Sequence, residues 1–126
     1  PIAPSPANIG INTGTRSLIL YYRGNVLRTY SIAVGRPAAP TPKGTFTIAY
    51  KSIEPGATAP LYDEVGPGGD LGSRLIGLSM PQFTIHGTGR PGLVGNAVTD
   101  GDVVMTNLDI NELFNRVPVG AAVRIV

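Results

Sequence analysis

Cysteine is absent from the 126 residues, which excludes a disulfide framework, a thiolate metal site and a thiol nucleophile anywhere in this chain. Charge is sparse too. Asp, Glu, Lys and Arg make up 14% of the residues and sum to a formal net charge of +2. The Lys and Arg residues are scattered, so the chain carries no electrostatic footprint for nucleic acid. No apolar run approaches the roughly 18 to 20 residues of a membrane span, and Pro1 opens a segment without a charged region ahead of an apolar stretch. A soluble chain is expected, with no membrane span and no nucleic-acid partner. Histidine occurs once, at His86, so any imidazole chemistry belongs to that residue.

An apolar fraction of 42% suits a folded globular chain. The length fits one compact domain, 1–126, with residues 1–7 as a linker. Seventeen glycines and twelve prolines punctuate short segments rich in Val, Ile, Thr and Tyr, the pattern of a mostly-β domain with many turns. Ser17–Tyr22 and Val26–Val34 flank Arg23-Gly24-Asn25, whose Gly and Asn tolerate positive φ, so they read as a hairpin. Asn8–Asn12 is placed to pair with Ser17–Tyr22 across a turn at Thr13-Gly14-Thr15, which makes three antiparallel strands. Thr45–Tyr50 alternates apolar and small polar residues with period two, so one face should meet the core and the other water. Leu75–Ser79 and Phe83–His86 are extended as well, which puts the histidine at a strand end, and Ala122–Val126 is the last strand.

One helix is expected, because Ile110, Leu113, Phe114 and Val117 recur at i, i+3, i+4 and i+7 and share a face. Asn107 reads as its N-cap and Asp109 sits in the first turn, where the helix dipole favours an anion; Pro118 and Gly120 stop it after Val117. Between Glu54 and Ser73, Gly, Pro and acidic residues run without periodicity, and a loop of that length reads as a lid or insertion. Tyr62, Asp63, Glu64 and Arg74, in or beside it, are candidates to line a groove. Gly89-Arg90-Pro91-Gly92 reads as a flexible surface turn.

Three stretches, in order, carry a family resemblance. Ile32-Ala33-Val34-Gly35 followed by Thr41-Pro42-Lys43-Gly44-Thr45-Phe46, then Ile85-His86-Gly87-Thr88, then Asp109 to Ile125 together resemble the catalytic domain of the L,D-transpeptidases, the YkuD-type domain. The likeness covers nearly the whole chain. It implies a β-sandwich with one short C-terminal helix, no cofactor, and work on peptidoglycan stem peptides outside the cytoplasm at the cell wall. A monomer is expected. In that family a cysteine within S/T-x-G-C-I/V-R-M attacks a stem-peptide carbonyl and passes the acyl group to an amine. The thiolate is the nucleophile, a histidine takes the proton and backbone amides hold the oxyanion.

By position His86 is that histidine. The nucleophile segment corresponds to Thr99-Asp100-Gly101-Asp102-Val103-Val104-Met105. Thr99, Gly101, Val103 and Met105 agree with the family pattern, whereas Asp102 holds the cysteine position, Val104 the arginine position, and Asp100 a position where His or Lys is usual. The resemblance therefore assigns His86, Gly101 and Asp102 to the catalytic position and Gly87, Thr88, Thr99 and Asp100 to stem-peptide binding, while Arg90, in the turn that follows, is a candidate to contact a substrate carboxylate. A carboxylate is a weak acyl nucleophile and would give a labile anhydride, so transpeptidation by the family route is not open to this chain. Valine cannot replace the bidentate or structural work of an arginine.

Three readings stay open. The first is an inactive family member, a pseudoenzyme that keeps a stem-peptide groove. The second is a hydrolase or acyl-transfer scaffold that works by His86 with Asp102 as base, with or without a metal held by His86, Asp100 and Asp102. The third is an engineered form of an active cross-linking enzyme. Beside them stand blander alternatives. A lone histidine at a strand end is commonly a hydrogen-bonded structural residue, and Asp-Gly-Asp is commonly a polar turn whose carboxylates accept backbone hydrogen bonds.

Overall fold

The computed structural model describes residues 6–53 and 72–126. The strands are β1 (Ala7–Asn12), β2 (Ser17–Tyr22), β3 (Asn25–Ser31), β4 (Val34–Gly35), β5 (Gly44–Ile53), β6 (Arg74–Leu78), β7 (Thr84–His86), β8 (Ala97–Thr99), β9 (Val103–Val104) and β10 (Ala122–Ile125), with one α-helix, α1 (Asn107–Arg116). Eight of the strands form one sheet in the order β3-β2-β1-β10-β5-β6-β7-β9, and β4 pairs with β8 apart from it. The sheet curls until its two edges approach. Just past β3, Ala33 exchanges backbone hydrogen bonds with Val104 of β9, at 2.8 and 3.0 Å. The two packed layers expected of a sandwich are thus the two arms of a single sheet.

Alternation explains what fills the space between the arms. Ile9 and Ile11 of β1, Leu18 and Leu20 of β2, and Val123 and Ile125 of β10 all point inward, as a period of two requires. They meet Ile76, Ile85 and Met105 from the other arm, and Ile110 and Leu113 of α1, in one cluster. Each fully buried Ile or Leu contributes about 1.5 to 3 kcal/mol. The last strand, β10, lies in the middle of the sheet, parallel to β1 and antiparallel to β5.

The three expected antiparallel strands at the start of the chain pair as β1, β2 and β3. The hairpin turn is the pair Arg23-Gly24, both at positive φ, and Asn25 already pairs with Tyr22. Val26–Val34 is not one strand. After Ser31 the chain leaves β2: Ile32 donates to Arg16, Ala33 bridges to β9, and Val34 begins the pairing with β8. Residues 6 and 7 are not linker either, because Pro6 accepts a hydrogen bond from the Arg23 amide and Ala7 is a buried strand residue. The period-two face of β5 holds at Ile48 and is lost beyond it, where a bulge between Ile48 and Tyr50 turns Tyr50 outward.

The helix forms over the expected residues but is capped one position earlier. Thr106 Oγ1 accepts from the Asp109 amide at 3.2 Å, a contact that contributes about 1 kcal/mol. Asn107 is the first helical residue, and its Oδ1 instead accepts from the Ser73 amide at 3.0 Å. Pro91–Leu93 forms a short 3-10 turn inside the stretch read as a flexible loop. The lid expected over Glu54–Ser73, with Tyr62, Asp63 and Glu64, lies outside the described residues except at Gly72 and Ser73. No helix among the described residues is long and apolar enough to cross a membrane.

Candidate active site

β7 and β9 run side by side in parallel, with His86 opposite Val104, and this pairing brings the two sequence-predicted segments together. Two parallel strands need a crossover between them; here it is the run from Gly87 to Asp102. Its end is a tight turn. Thr99 Oγ1 donates to the Asp102 carbonyl at 2.7 Å and accepts from the Gly101 amide at 3.1 Å. Gly101 sits at φ +124°, and a Cβ there would come 2.6 Å from the Phe83 ring. Glycine is required on both counts.

The turn delivers Asp102 to the mouth of β9. Its Oδ1 accepts from the Thr84 amide at 3.0 Å, which pins the carboxylate to the start of β7. Its Oδ2 lies 3.7 Å from Nε2 of His86. The histidine itself is only 7% exposed, and Nδ1 lies 2.6 Å from the Gly87 carbonyl. A carbonyl can only accept, so Nδ1 carries a hydrogen and Nε2 is the nitrogen that faces Asp102. At 3.7 Å the two side chains are beyond a direct hydrogen bond. Nε2 is thus the ring nitrogen turned toward the site, and the group it faces is a carboxylate.

The other predicted residues divide into turn-formers and rim. Thr88 is buried and its Oγ1 accepts from the Arg90 amide at 2.9 Å, so its hydroxyl works inside the turn, as that of Thr99 does. Gly87 is buried where a Cβ would strike Asn107 Oδ1 at 2.4 Å. Arg90 and Asp100 are exposed on the rim. Asp100 does not join His86 and Asp102: its side chain is 88% exposed and pairs with Arg36 Nε at 3.1 Å. The alternative metal trio is therefore not assembled, since the turn at Gly101 sends the two aspartates apart. Among the described residues no group of three metal-ligating side chains gathers.

Two contributors escaped the sequence reading. Arg36 reaches the site because its own amide donates to the Thr99 carbonyl at 2.9 Å, which holds the β4 loop against the turn. Asn107 and Gly72 form the second device: Asn107 Oδ1 lies against the backbone of Gly72 and Gly87, and Ser73 Oγ meets Asn111 Oδ1 at 2.6 Å. This packing fastens α1 to the residue that fixes the histidine tautomer. The spacing of glycines after His86 was the available signal, and the partner of those glycines was not.

The fold and the site so far define a class: a curled β domain with a histidine centre at the joined ends of two parallel strands. Comparison with known proteins gives the family. The family model of the YkuD-type L,D-transpeptidase catalytic domain matches residues 6–125, and the chain belongs to that family, one of peptidoglycan metabolism. A Bacillus licheniformis protein provisionally named L,D-transpeptidase YkuD is 36% identical over 120 residues, 95% of this chain and 66% of that protein. An L,D-transpeptidase structure from Mycobacterium smegmatis superposes with a TM-score of 0.78 at 21% identity, covering 97% of this chain and 59% of that one. The catalytic domain of the Enterococcus faecium L,D-transpeptidase superposes with a TM-score of 0.74 at 20% identity, covering 95% of this chain and 96% of that domain. The chain thus spans a little under two thirds of the Bacillus relative's length.

Proposed function

We propose that this domain binds peptidoglycan stem peptides beside His86 and does not transfer their acyl group, because Asp102 occupies the position of the family's cysteine nucleophile. The observation that carries the reading is the 3.7 Å approach of Asp102 Oδ2 to His86 Nε2. The histidine keeps the orientation that a proton acceptor needs, and the side chain it faces is a carboxylate. A carboxylate beside an imidazole favours an ion pair over attack on an amide. Thr88 and Thr99 are engaged inside their turns, and Arg90 and the Arg36–Asp100 pair stand exposed on the rim, where a peptide bound beside His86 would meet them. In this reading residues 1–126 act as one monomeric domain, extracytoplasmic and associated with the cell wall.

The test pairs purified protein with tetrapeptide-stem muropeptides, following heat of binding by calorimetry and product by mass spectrometry. Binding without product is the expected result. Turnover would overturn the inactive assignment, and turnover lost in chelator would favour the metal hydrolase instead. Absence of binding would remove the stem-peptide groove.

A further inference from the structure

The contact of His86 Nδ1 with the Gly87 carbonyl, at 2.6 Å, decides which ring nitrogen faces the site. The strand ladders do not by themselves aim that carbonyl. On one side the His86 carbonyl accepts from the Met105 amide at 2.9 Å, and on the other the Gly87 amide donates to the Arg74 carbonyl at 3.2 Å. Both bonds fix the peptide plane between His86 and Gly87. The Gly87 carbonyl belongs to the next plane, and glycine leaves the rotation between two planes freer than any other residue does. Packing from outside the sheet has to set it.

The surroundings of Gly87 supply that packing. A Cβ on Gly72 would stand 2.3 Å from the Gly87 carbonyl carbon and 2.4 Å from Asn107 Oδ1, and a Cβ on Gly87 would strike the same Oδ1 at 2.4 Å. The Asn107 amide oxygen therefore sits between two glycines, each of which makes room for it. It is also held there. Asn107 Oδ1 accepts from the Ser73 amide at 3.0 Å, and Ser73 Oγ donates to Asn111 Oδ1, one turn further along α1, at 2.6 Å. Ser73 is buried, and so is Ile110 of the same helix. A Gly87 carbonyl swung toward Asn107 Oδ1 would set one acceptor against another with no hydrogen between them. The observed orientation gives that carbonyl a donor instead, at Nδ1.

We propose that Asn107 is a positioning residue for His86: its amide oxygen, locked to the Ser73 amide between Gly72 and Gly87, keeps the Gly87 carbonyl on Nδ1 and so keeps Nε2 turned toward residue 102. The inference deepens the reading given above and rests on it only for taking His86 as the centre of the site. It makes α1 a part of the site as well as of the core. The competing account has Asn107 as a helix-start residue whose packing stabilises the fold and nothing more. The two accounts differ in what the histidine reports.

His86 is the sole histidine, so a long-range proton–nitrogen correlation spectrum of the isotope-labelled protein, free of any ligand, contains one imidazole. A pH series locates the neutral ring, and the separation of its two nitrogen shifts then reads the tautomer. The wild type is expected to carry the hydrogen on Nδ1 with Nε2 bare. Asn107→Ala should lose most of that separation, because a neutral imidazole without its carbonyl partner exchanges between both tautomers. Asn107→Asp keeps an acceptor of the same reach and should retain it. Leu113→Ala, which empties part of the buried face of the same helix and leaves Asn107 in place, should lower the melting temperature and leave the shifts unchanged. Asn107→Ser, one atom shorter, carries the expectation for Asn107→Ala if the alanine variant does not fold. A wild-type ring with its hydrogen on Nε2 would overturn the assignment, as would a folded Asn107→Ala or Asn107→Ser that keeps the separation. Equal loss in Leu113→Ala or in Asn107→Asp would overturn it too, since helix stability or shape, and not the acceptor, would then set the ring. No peptide is present, so failure of muropeptide binding would count against the proposed function alone.

Discussion

At the residue scale the site turns on two atoms, Nε2 of His86 and Oδ2 of Asp102, 3.7 Å apart. The backbone that holds them apart is set by Gly101, whose φ of +124° and contact with the Phe83 ring leave no room for a side chain. Gly101→Ala is therefore expected to cost about 2 kcal/mol or more, from overpacking and from a positive φ. Urea denaturation measures it, and an unchanged midpoint would show that the turn can relax. The glycine was legible in the sequence from its place in the family pattern. That Thr99 and Thr88 serve their own turns was not, because a hydroxyl that accepts a neighbouring amide looks the same in a sequence as one that meets a ligand. Asp100 and Asp102, two residues apart, could be separated only by knowing which way the intervening turn sends each.

At the scale of elements, α1 is tied to the sheet by polar contacts as well as by its buried face. Tyr30 of β3 donates to Glu112 at 2.5 Å, and Arg28 pairs with the same carboxylate at 3.2 Å. Burial, then the hydrogen bond and the charge of Glu112, raise the Tyr30 pKa above its ordinary value of 10.0. As pH rises past 10.0 an unfolded tyrosine ionises while Tyr30 in the folded protein stays protonated. The folded state then binds more protons, and stability must fall with pH. Its contribution is complete below that value and is lost as pH climbs toward the raised one. Thermal melts from pH 8 to 11 should show a steeper alkaline decline for the wild type than for Tyr30→Phe; parallel profiles would mean that the phenol ionises freely. On β5, Lys51 Nζ donates to the carbonyls of Phe114 and Val117 at 2.6 and 2.9 Å, at the end of α1. Its burial lowers its pKa.

The elements with a repeat or a clear turn beside them were the ones the sequence revealed: the alternating start of β5, the helix with its i, i+3, i+4 face, and the two hairpins of β1, β2 and β3. Strands of two or three residues, β4, β8 and β9, have no period to detect, and the break after Ser31 depends on a partner more than seventy residues away at Val104. The N-cap moved from Asn107 to Thr106 because both residue types cap helices, and only the packing of Asn107 against Gly72 and Gly87 decides between them.

At the scale of the whole molecule, one sheet curls until its edges meet and presents two separate surfaces. The joined ends of β7 and β9 hold the histidine, and the outer face of β1, β2 and β10 holds an open cleft. We propose that the histidine and the turn at Gly101 are placed for acyl transfer and that the carboxylate at 102 withholds the nucleophile, with the valine at 104 removing a second group of the family pattern. The most direct measurement is mass spectrometry of wild type and Asp102→Cys after incubation with a tetrapeptide-stem muropeptide and an acceptor amine. The account predicts no product and no adduct on the wild type, and for Asp102→Cys an acyl adduct or cross-linked product with release of the terminal stem residue. Product from the wild type, or an Asp102→Cys protein that binds the muropeptide yet stays inert, would contradict it.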